Sequence, residues 1–413
     1  MGLSREPVPR ATTPPPPLHG TPILKASPQH ALEALVKSHR FEQPVYVTRP
    51  TLPRLEDLAR RLEPAWERGW LTNNGALHDE LRESLRTYLD VEHLSLCCNG
   101  TVALLLALQS ARITGGEVIT TPFTFPATPH ALYWNRVRPV FCDVTPHDFN
   151  LDPARIEALI GSETRAILPV HVFGYPCDVD AIQEIADRHG LAVLYDAAHA
   201  MGVRRQGQSI LDWGDYSILS FHATKLFSTA EGGAVVSRSE AARVRVDHLK
   251  NFGIVDEETV IGPGINGKMN ELQAAFGLLQ LEGIEREIEN RGKLTELYRA
   301  RLRDVPGLTF HEDRPGVRHN YAYFTLLIDE EAFGMSRDEL WETLKLFNVV
   351  TRKYFSPLCS HFPCYSALPS AQRENLPVAE DVARRILSIP LYGTLAPESV
   401  EQLCAILAEL ARI

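Results

Sequence analysis

Two residues at the ends of apolar runs carry the first chemical signal. Lys225 follows the run Tyr216 to Ser220 and precedes Glu231-Gly232-Gly233, after which a second apolar run, Ala234-Val235-Val236, begins. Asp196 closes the run Leu191-Ala192-Val193-Leu194-Tyr195. Most lysines are solvated surface groups. One whose proton is loosened by burial or a neighbouring charge can form a Schiff base with an aldehyde. A carboxylate at the end of a buried strand is costly unless paired. A pyridinium N–H is one such partner, and the negative charge keeps that ring protonated and electron-withdrawing. An amine and an acid delivered by successive strands are what pyridoxal 5'-phosphate needs.

Three further segments complete such a site in a sensible chain order. Asn99-Gly100-Thr101 opens a helix after an apolar run, where backbone N–H groups and the helix dipole favour a phosphate. Taken alone, Asn-Gly is also a common turn and Thr a routine cap. Phe123 and Phe125 follow the run Glu117 to Thr120, where an aromatic can stack on a flat heterocycle or simply fill the core. Ser220 lies five residues before Lys225 and offers a hydroxyl to the phosphate, or is a plain strand serine. His199 lies three residues after Asp196, within reach of a ring oxygen.

The elements that must position these residues alternate. β-Prone runs occur at 93–97, 117–120, 139–142, 166–170, 192–195, 216–220 and 233–237, with helical stretches at 102–111, 126–135, 156–160 and 179–189 between them. Strands alternating with helices imply an α/β fold with a mostly parallel sheet covered on both faces. Residues 271–303 read as a long helical stretch, one helix or two. Beyond it the order changes to a strand at 323–328, a helix at 337–347, a short strand at 349–351 and helices at 379–387 and 397–411. That predicts a small C-terminal α+β domain. The expected organisation is a proline-rich, disordered leader over 1–42, a large domain over 43–290, and a linker helix with the small domain over 291–413.

Composition bounds the partners. The 413 residues are 44% hydrophobic and 23% charged, which suits a two-domain soluble protein. No apolar run is long enough to span a membrane, and the N-terminus lacks the apolar stretch of a secretory signal. A net charge of -10 disfavours nucleic acid as a partner. Seven scattered cysteines, an odd number, point to a reducing, cytoplasmic setting. Cys359 and Cys364 flank His361, but no second pair completes a zinc set, so no metal is expected.

Taken together, the segments resemble the DegT/StrS family of sugar aminotransferases, which have the fold-type-I PLP architecture. The resemblance runs through residues 118–125, 139–144, 166–174 and 196–200, then Ser220-Phe221-His222-Ala223-Thr224-Lys225, Glu231-Gly232-Gly233-Ala234 and residues 264–275, and covers about 45 to 410. It implies a large seven-stranded sheet domain. It assigns Lys225 the cofactor aldehyde and the proton shuttle, Asp196 the pyridine nitrogen, and Phe125 the ring face. His199 stands near the phenolic oxygen where many relatives have glutamine. Gly100, Thr101, Val102 and Ser220 hold the phosphate. Asn266 and Lys268, in a segment that reaches the neighbouring subunit's cofactor, imply a homodimer with shared active sites. Lys268 stands where relatives carry arginine, which leaves a point charge in place of a two-pronged contact. Some members that remove a sugar hydroxyl carry histidine in place of the lysine, so Lys225 favours transamination.

Residues 70–75, 196–202 and 220–233 look most similar to the subgroup that acts on dTDP-4-keto-6-deoxyglucose, with L-glutamate as amino donor. A subgroup acting on the 3-keto isomer shares much of the lysine motif. Arg352, Lys353 and Tyr354 are expected at the nucleotide diphosphate or donor carboxylate, although Arg352 and Lys353 also read as a solvated pair. The segment Asn320-Tyr321-Ala322-Tyr323 is expected to line the sugar site, chiefly through Asn320 and Tyr321. A rival of another class, a non-catalytic PLP-binding regulator, normally adds a helix-turn-helix, which this chain does not offer.

Overall fold

The computed structural model describes residues 28–72 and 74–413. Its centre is a seven-stranded sheet in the order Leu94–Cys97, Gly233–Ser237, Tyr216–Ser220, Ala192–Asp196, Thr164–Leu168, Glu117–Thr120, Arg138–Phe141. All neighbouring pairs are parallel except those made by Gly233–Ser237, which runs antiparallel to both of its neighbours. The parallel strands therefore end on one edge, and Gly233–Ser237 begins there. Near-continuous burial of these short runs is the reason they form strands: Leu94–Cys97 and Gly233–Ser237 are buried at every residue. Helices Gly100–Ser110, Ala127–Trp134 and Val179–His189 cover the sheet.

The helical stretch after residue 270 is two helices, Glu271–Glu282 and Ile284–Leu302, which meet at Gly283. Asn270 and Gln273 form a reciprocal cap at the first. Glu271 is fully buried, and its carboxylate accepts the backbone N–H groups of Leu77 and His78 at 3.1 and 2.7 Å. It thereby caps helix Ala76–Leu89, which has no side-chain cap of its own. The small domain is built on an antiparallel sheet of Leu308–Phe310, Phe324–Ile328 and Ile386–Ile389. Helices Arg337–Leu346, Pro377–Arg385 and Pro397–Leu410 pack with it.

Three expectations are corrected. The span read as leader ends earlier than residue 42: Pro28–His39 is a helix, with Leu35 and Phe41 buried in the small-domain core and the carbonyl of His39 bonded to Gln402 Nε2 at 2.8 Å. Residues 1–27, including the proline run, lie outside the described residues. Ile386 and Leu387 leave the expected helix and join a strand, because Phe324–Ile328 offers them an open ladder. The expected helix at 156–160 is a single 3₁₀ turn, Glu157–Leu159, which follows another at Pro153–Arg155. Among the described residues, no helix is long and apolar enough to cross a membrane.

Candidate active site

The parallel strands, apart from the edge strand Arg138–Phe141, deliver residues to a cavity at the carboxyl edge of the sheet, the usual ligand position in such folds. A cavity of about 420 Å³ opens there, lined by Gly100, Thr101, Phe125, Asp196, His199, Ser220 and Lys225 together with residues of the small domain. A larger cleft of about 720 Å³ runs along the edge strand Arg138–Phe141, and none of the residues expected to do chemistry lines it. Volume alone is a poor guide here, and the convergence of polar groups decides.

The end of the cavity where a phosphate is expected depends on two close backbone approaches. Gly233 is paired with Cys97 on one side and Ser220 on the other. A Cβ there would meet the Asn99 carbonyl group and the Gly100 nitrogen at 2.7–2.8 Å. A Cβ on Gly100 would in turn lie 2.8 Å from Cβ of Ser220. Two glycines thus let the antiparallel strand sit tightly enough to bring Ser220 beside the start of helix Gly100–Ser110. Gly100→Ala is expected to push these elements apart and weaken cofactor affinity by about 10-fold or more, read by titrating cofactor into the cofactor-free protein.

Val102 is corrected. Its N–H is taken by Asn99 Oδ1 at 2.8 Å, the helix cap itself, and the residue does not line the cavity. Gly100 and Thr101 line the cavity, with Ser220 beside them.

Asp196 is 5% exposed and ends its strand inside the cavity. Thr128 donates its hydroxyl to Asp196 Oδ2 at 2.7 Å, and Ala198 donates its N–H to Oδ1 at 3.1 Å. The Thr128 hydroxyl also pairs with that of Thr124 at 2.8 Å. Burial still pushes the Asp196 carboxyl above its ordinary range, against the pull of these bonds and of Lys225. The carboxylate therefore lacks a full counter-charge, and a cationic ring N–H matches that deficit. His199 Nδ1 accepts the N–H of Phe173 at 3.2 Å, which leaves the ring proton on Nε2. Burial first, and Lys225 second, hold His199 well below its ordinary value, so it stays a neutral donor.

Phe123 and Phe125 divide. Phe123 is wholly buried, edge-on to Phe149, Phe173 and Phe355, while Phe125 lines the cavity and is 58% exposed. The donor set thus fits pyridoxal phosphate: a lysine amine, a buried under-compensated carboxylate, a neutral imidazole donor, an open aromatic, and a glycine–serine cradle.

The small-domain expectations are partly corrected. Tyr354 lines the cavity. Arg352 is exposed and pairs only its backbone with Ser388, outside the cavity lining. Asn320 is buried and clamps the two domains, its amide donating to the carbonyls of His199 and Met201 at 2.8 and 2.9 Å. Tyr321 turns away, and its hydroxyl bonds Asp313 at 2.8 Å. Tyr323 takes the place in the cavity expected of Tyr321. Strand alternation could not have separated them, since both have the same parity; Tyr321 adopts a left-handed φ of 51°, which breaks the alternation. Asn266 and Lys268 do not line this chain's cavity; Lys268 Nζ lies over the Phe252 ring at 4.8 Å. Cys359 and His361 are engaged elsewhere, with the Thr124 carbonyl and Glu380 respectively. Among the described residues, no group of three or more His, Cys, Asp or Glu is placed to hold a metal ion.

Comparison with known proteins gives a consistent picture. The model of the DegT/DnrJ/EryC1/StrS aminotransferase family matches residues 55–408. The chain is 47% identical to the dTDP-4-amino-4,6-dideoxy-D-glucose transaminase of Escherichia coli, over 89% of this chain and 98% of that protein. It is 43% identical to the enzyme of the same name from Shigella dysenteriae, over 90% of this chain and 100% of that one. The crystal structure of DesI in the presence of its TDP-sugar product is similar with a TM-score of 0.86 and 37% identity, over 90% of this chain and 94% of that one.

Proposed function

The chain belongs to the DegT/DnrJ/EryC1/StrS aminotransferase family, and on that premise we propose that it moves an amino group from L-glutamate to C4 of dTDP-4-keto-6-deoxyglucose. The observation that carries the reaction type is the meeting of Lys225 with the buried Asp196 and neutral His199 in one cavity. The choice of sugar and carbon rests on likeness to the two transaminases, which this chain matches over nearly their whole length.

Pyridoxal phosphate, when bound, supplies an aldehyde and an electron-withdrawing ring that stabilises negative charge at the donor's Cα. The protein's own residues do the rest. Gly100, Thr101 and Ser220 hold the phosphate at the helix start. Asp196 keeps the ring nitrogen protonated, and His199 Nε2 donates a hydrogen bond. Phe125 covers one face of the ring. Lys225 Nζ takes the proton from Cα of glutamate and, in the second half of the cycle, delivers one to C4 of the sugar.

The proposal includes a homodimer. Asn266 and Lys268 stand off this chain's own cavity, near exposed Phe252, Val260, Ile261 and Ile265. A contiguous apolar surface beside two polar cofactor-type residues suits a second copy that receives them. The reaction is placed in the cytoplasm, a reading supported by the chain's seven free cysteines.

The test is incubation with dTDP-4-keto-6-deoxyglucose, L-glutamate and pyridoxal phosphate, with the product read by mass spectrometry and NMR. The expected product carries nitrogen at C4. Nitrogen at C3 of a 3-keto substrate, with no turnover of the 4-keto sugar, would overturn the assignment.

A further inference from the structure

We propose that Tyr323 is a positioning residue for Lys225, holding its amine from the small-domain wall of the cavity. The inference rests on the reading of Lys225 as the reactive amine and adds a residue to that machinery. Among the described residues, the hydrogen-bond partner of Lys225 Nζ is the Tyr323 hydroxyl, at 3.4 Å. The amine also lies 5.9 Å from the centre of the Tyr323 ring. Lysine carries its charge on a flexible four-carbon stem, so an amine that must meet one reacting atom needs a fixed partner.

The surroundings fix Tyr323 firmly enough to be that partner. It immediately precedes the strand Phe324–Ile328, whose first residue is paired with Ile389. Just upstream, Asn320 holds the carbonyls of His199 and Met201, and Arg291 Nη1 donates to the Ala322 carbonyl at 3.2 Å. The small-domain chain is therefore tied to the very loop that carries His199. The Tyr323 ring then packs against His199 at 4.9 Å and 64°, Phe173 at 5.5 Å and 59°, and Tyr354 at 5.8 Å and 90°. Three aromatic neighbours leave the hydroxyl little choice of direction.

A phenol suits the task because it accepts from an ammonium and donates to a neutral amine. It can hold Lys225 in both protonation states while the lysine carries its proton between substrate atoms. Neither Asp196 nor His199 bonds the amine: Asp196 accepts from Thr128 and Ala198, and His199 Nδ1 accepts from Phe173.

The test compares Tyr323→Phe with the wild type, and uses Tyr321→Phe, whose hydroxyl bonds Asp313 outside the cavity, as a control. The first readout uses cofactor-free protein. Trace acetic anhydride labels the lysines across a pH series, and mass spectrometry measures Lys225 relative to exposed Lys293. Tyr323→Phe is expected to change the relative labelling of Lys225 by about threefold or more. The second readout is steady-state turnover of the holoenzyme with L-glutamate and dTDP-4-keto-6-deoxyglucose together: kcat is expected to fall about 10- to 100-fold while KM stays within about threefold. Tyr321→Phe is expected to leave both readouts at wild-type values. A Tyr323→Phe variant that fails to bind cofactor still answers through the first readout. Unchanged labelling of Lys225 overturns the proposal, with or without a fall in kcat, and so does changed labelling with unchanged kcat. Failure of the wild type to transaminate any keto sugar would sink the functional reading instead, and the labelling comparison tells the two failures apart.

Discussion

Lys225→Ala is expected to lose turnover by about 10⁴-fold or more, because it removes both the group that condenses with the cofactor aldehyde and the base that moves the proton. The structure makes the loss specific. Lys225 is half-buried and lines the cavity with Asp196 and His199, so no other lysine of the described chain stands in for it there. Lys225→Arg is expected to fail equally: a guanidinium keeps the positive charge but does not release a proton at working pH. The charge on its own therefore does not rescue the enzyme. Both variants should fold, since the side chain makes one hydrogen bond, to Tyr323. Product formation by NMR, with a melting curve to verify folding, measures the outcome. Added methylamine is expected to restore a small part of the activity of Lys225→Ala, which separates a missing base from a damaged cavity. Turnover within about tenfold of wild type in either variant would remove the lysine from the mechanism.

The large domain was legible because its strands are short apolar runs broken by Gly, Pro and Asn, and such runs in alternation with helices admit few other folds. Glu117–Thr120, Tyr216–Ser220 and Gly233–Ser237 are strands over the residues expected. The same periodic reasoning fails where an amphipathic helix runs straight into an apolar strand. Pro377–Arg385 continues into Ile386–Ile389 with no breaker, and only the partner strand decides the change. It also fails at Pro28–His39, where proline-rich composition upstream concealed a helix that docks on the small domain.

The site divides in a similar way. Asp196 and Ser220 end their strands and Lys225 follows Ser220 by five residues, so the parallel sheet brings all three to one edge. Residues whose role depends on a local bond were not legible. Val102 gives its N–H to Asn99, Asn320 spends its amide on two carbonyls across the domain boundary, and Arg352 faces solvent. Thr128 is the converse case. It lies three residues after Phe125, in a stretch read as helical, yet its hydroxyl is what Asp196 leans on. A sequence pattern records side-chain type and spacing, while these roles follow from which backbone group happens to be unpaired nearby.

Asp196→Asn should produce opposite effects in the cofactor-free and the working enzyme, and that opposition follows from burial. With no cofactor, the carboxyl's proton affinity is raised above the ordinary 3.8 because its charge is poorly solvated. Below the unfolded value the group is neutral in both states and carries no penalty. As pH rises from the unfolded value to the higher folded one, the unfolded chain ionises first and stability falls; above the folded value the loss stays constant. Asparagine keeps the shape and carries no charge. The cofactor-free variant is therefore expected to melt a few degrees higher than wild type near neutral pH, and the gap should close as pH drops toward the carboxylate range. With cofactor and substrates present the order reverses. Asparagine cannot hold the ring nitrogen protonated, so kcat is expected to fall by about 10²- to 10³-fold, with weaker cofactor binding. Thermal melts at several pH values and a steady-state assay on the same preparations read both effects. A variant that is neither stabilised without cofactor nor slowed with it would show that the buried charge at Asp196 has no cationic partner to serve.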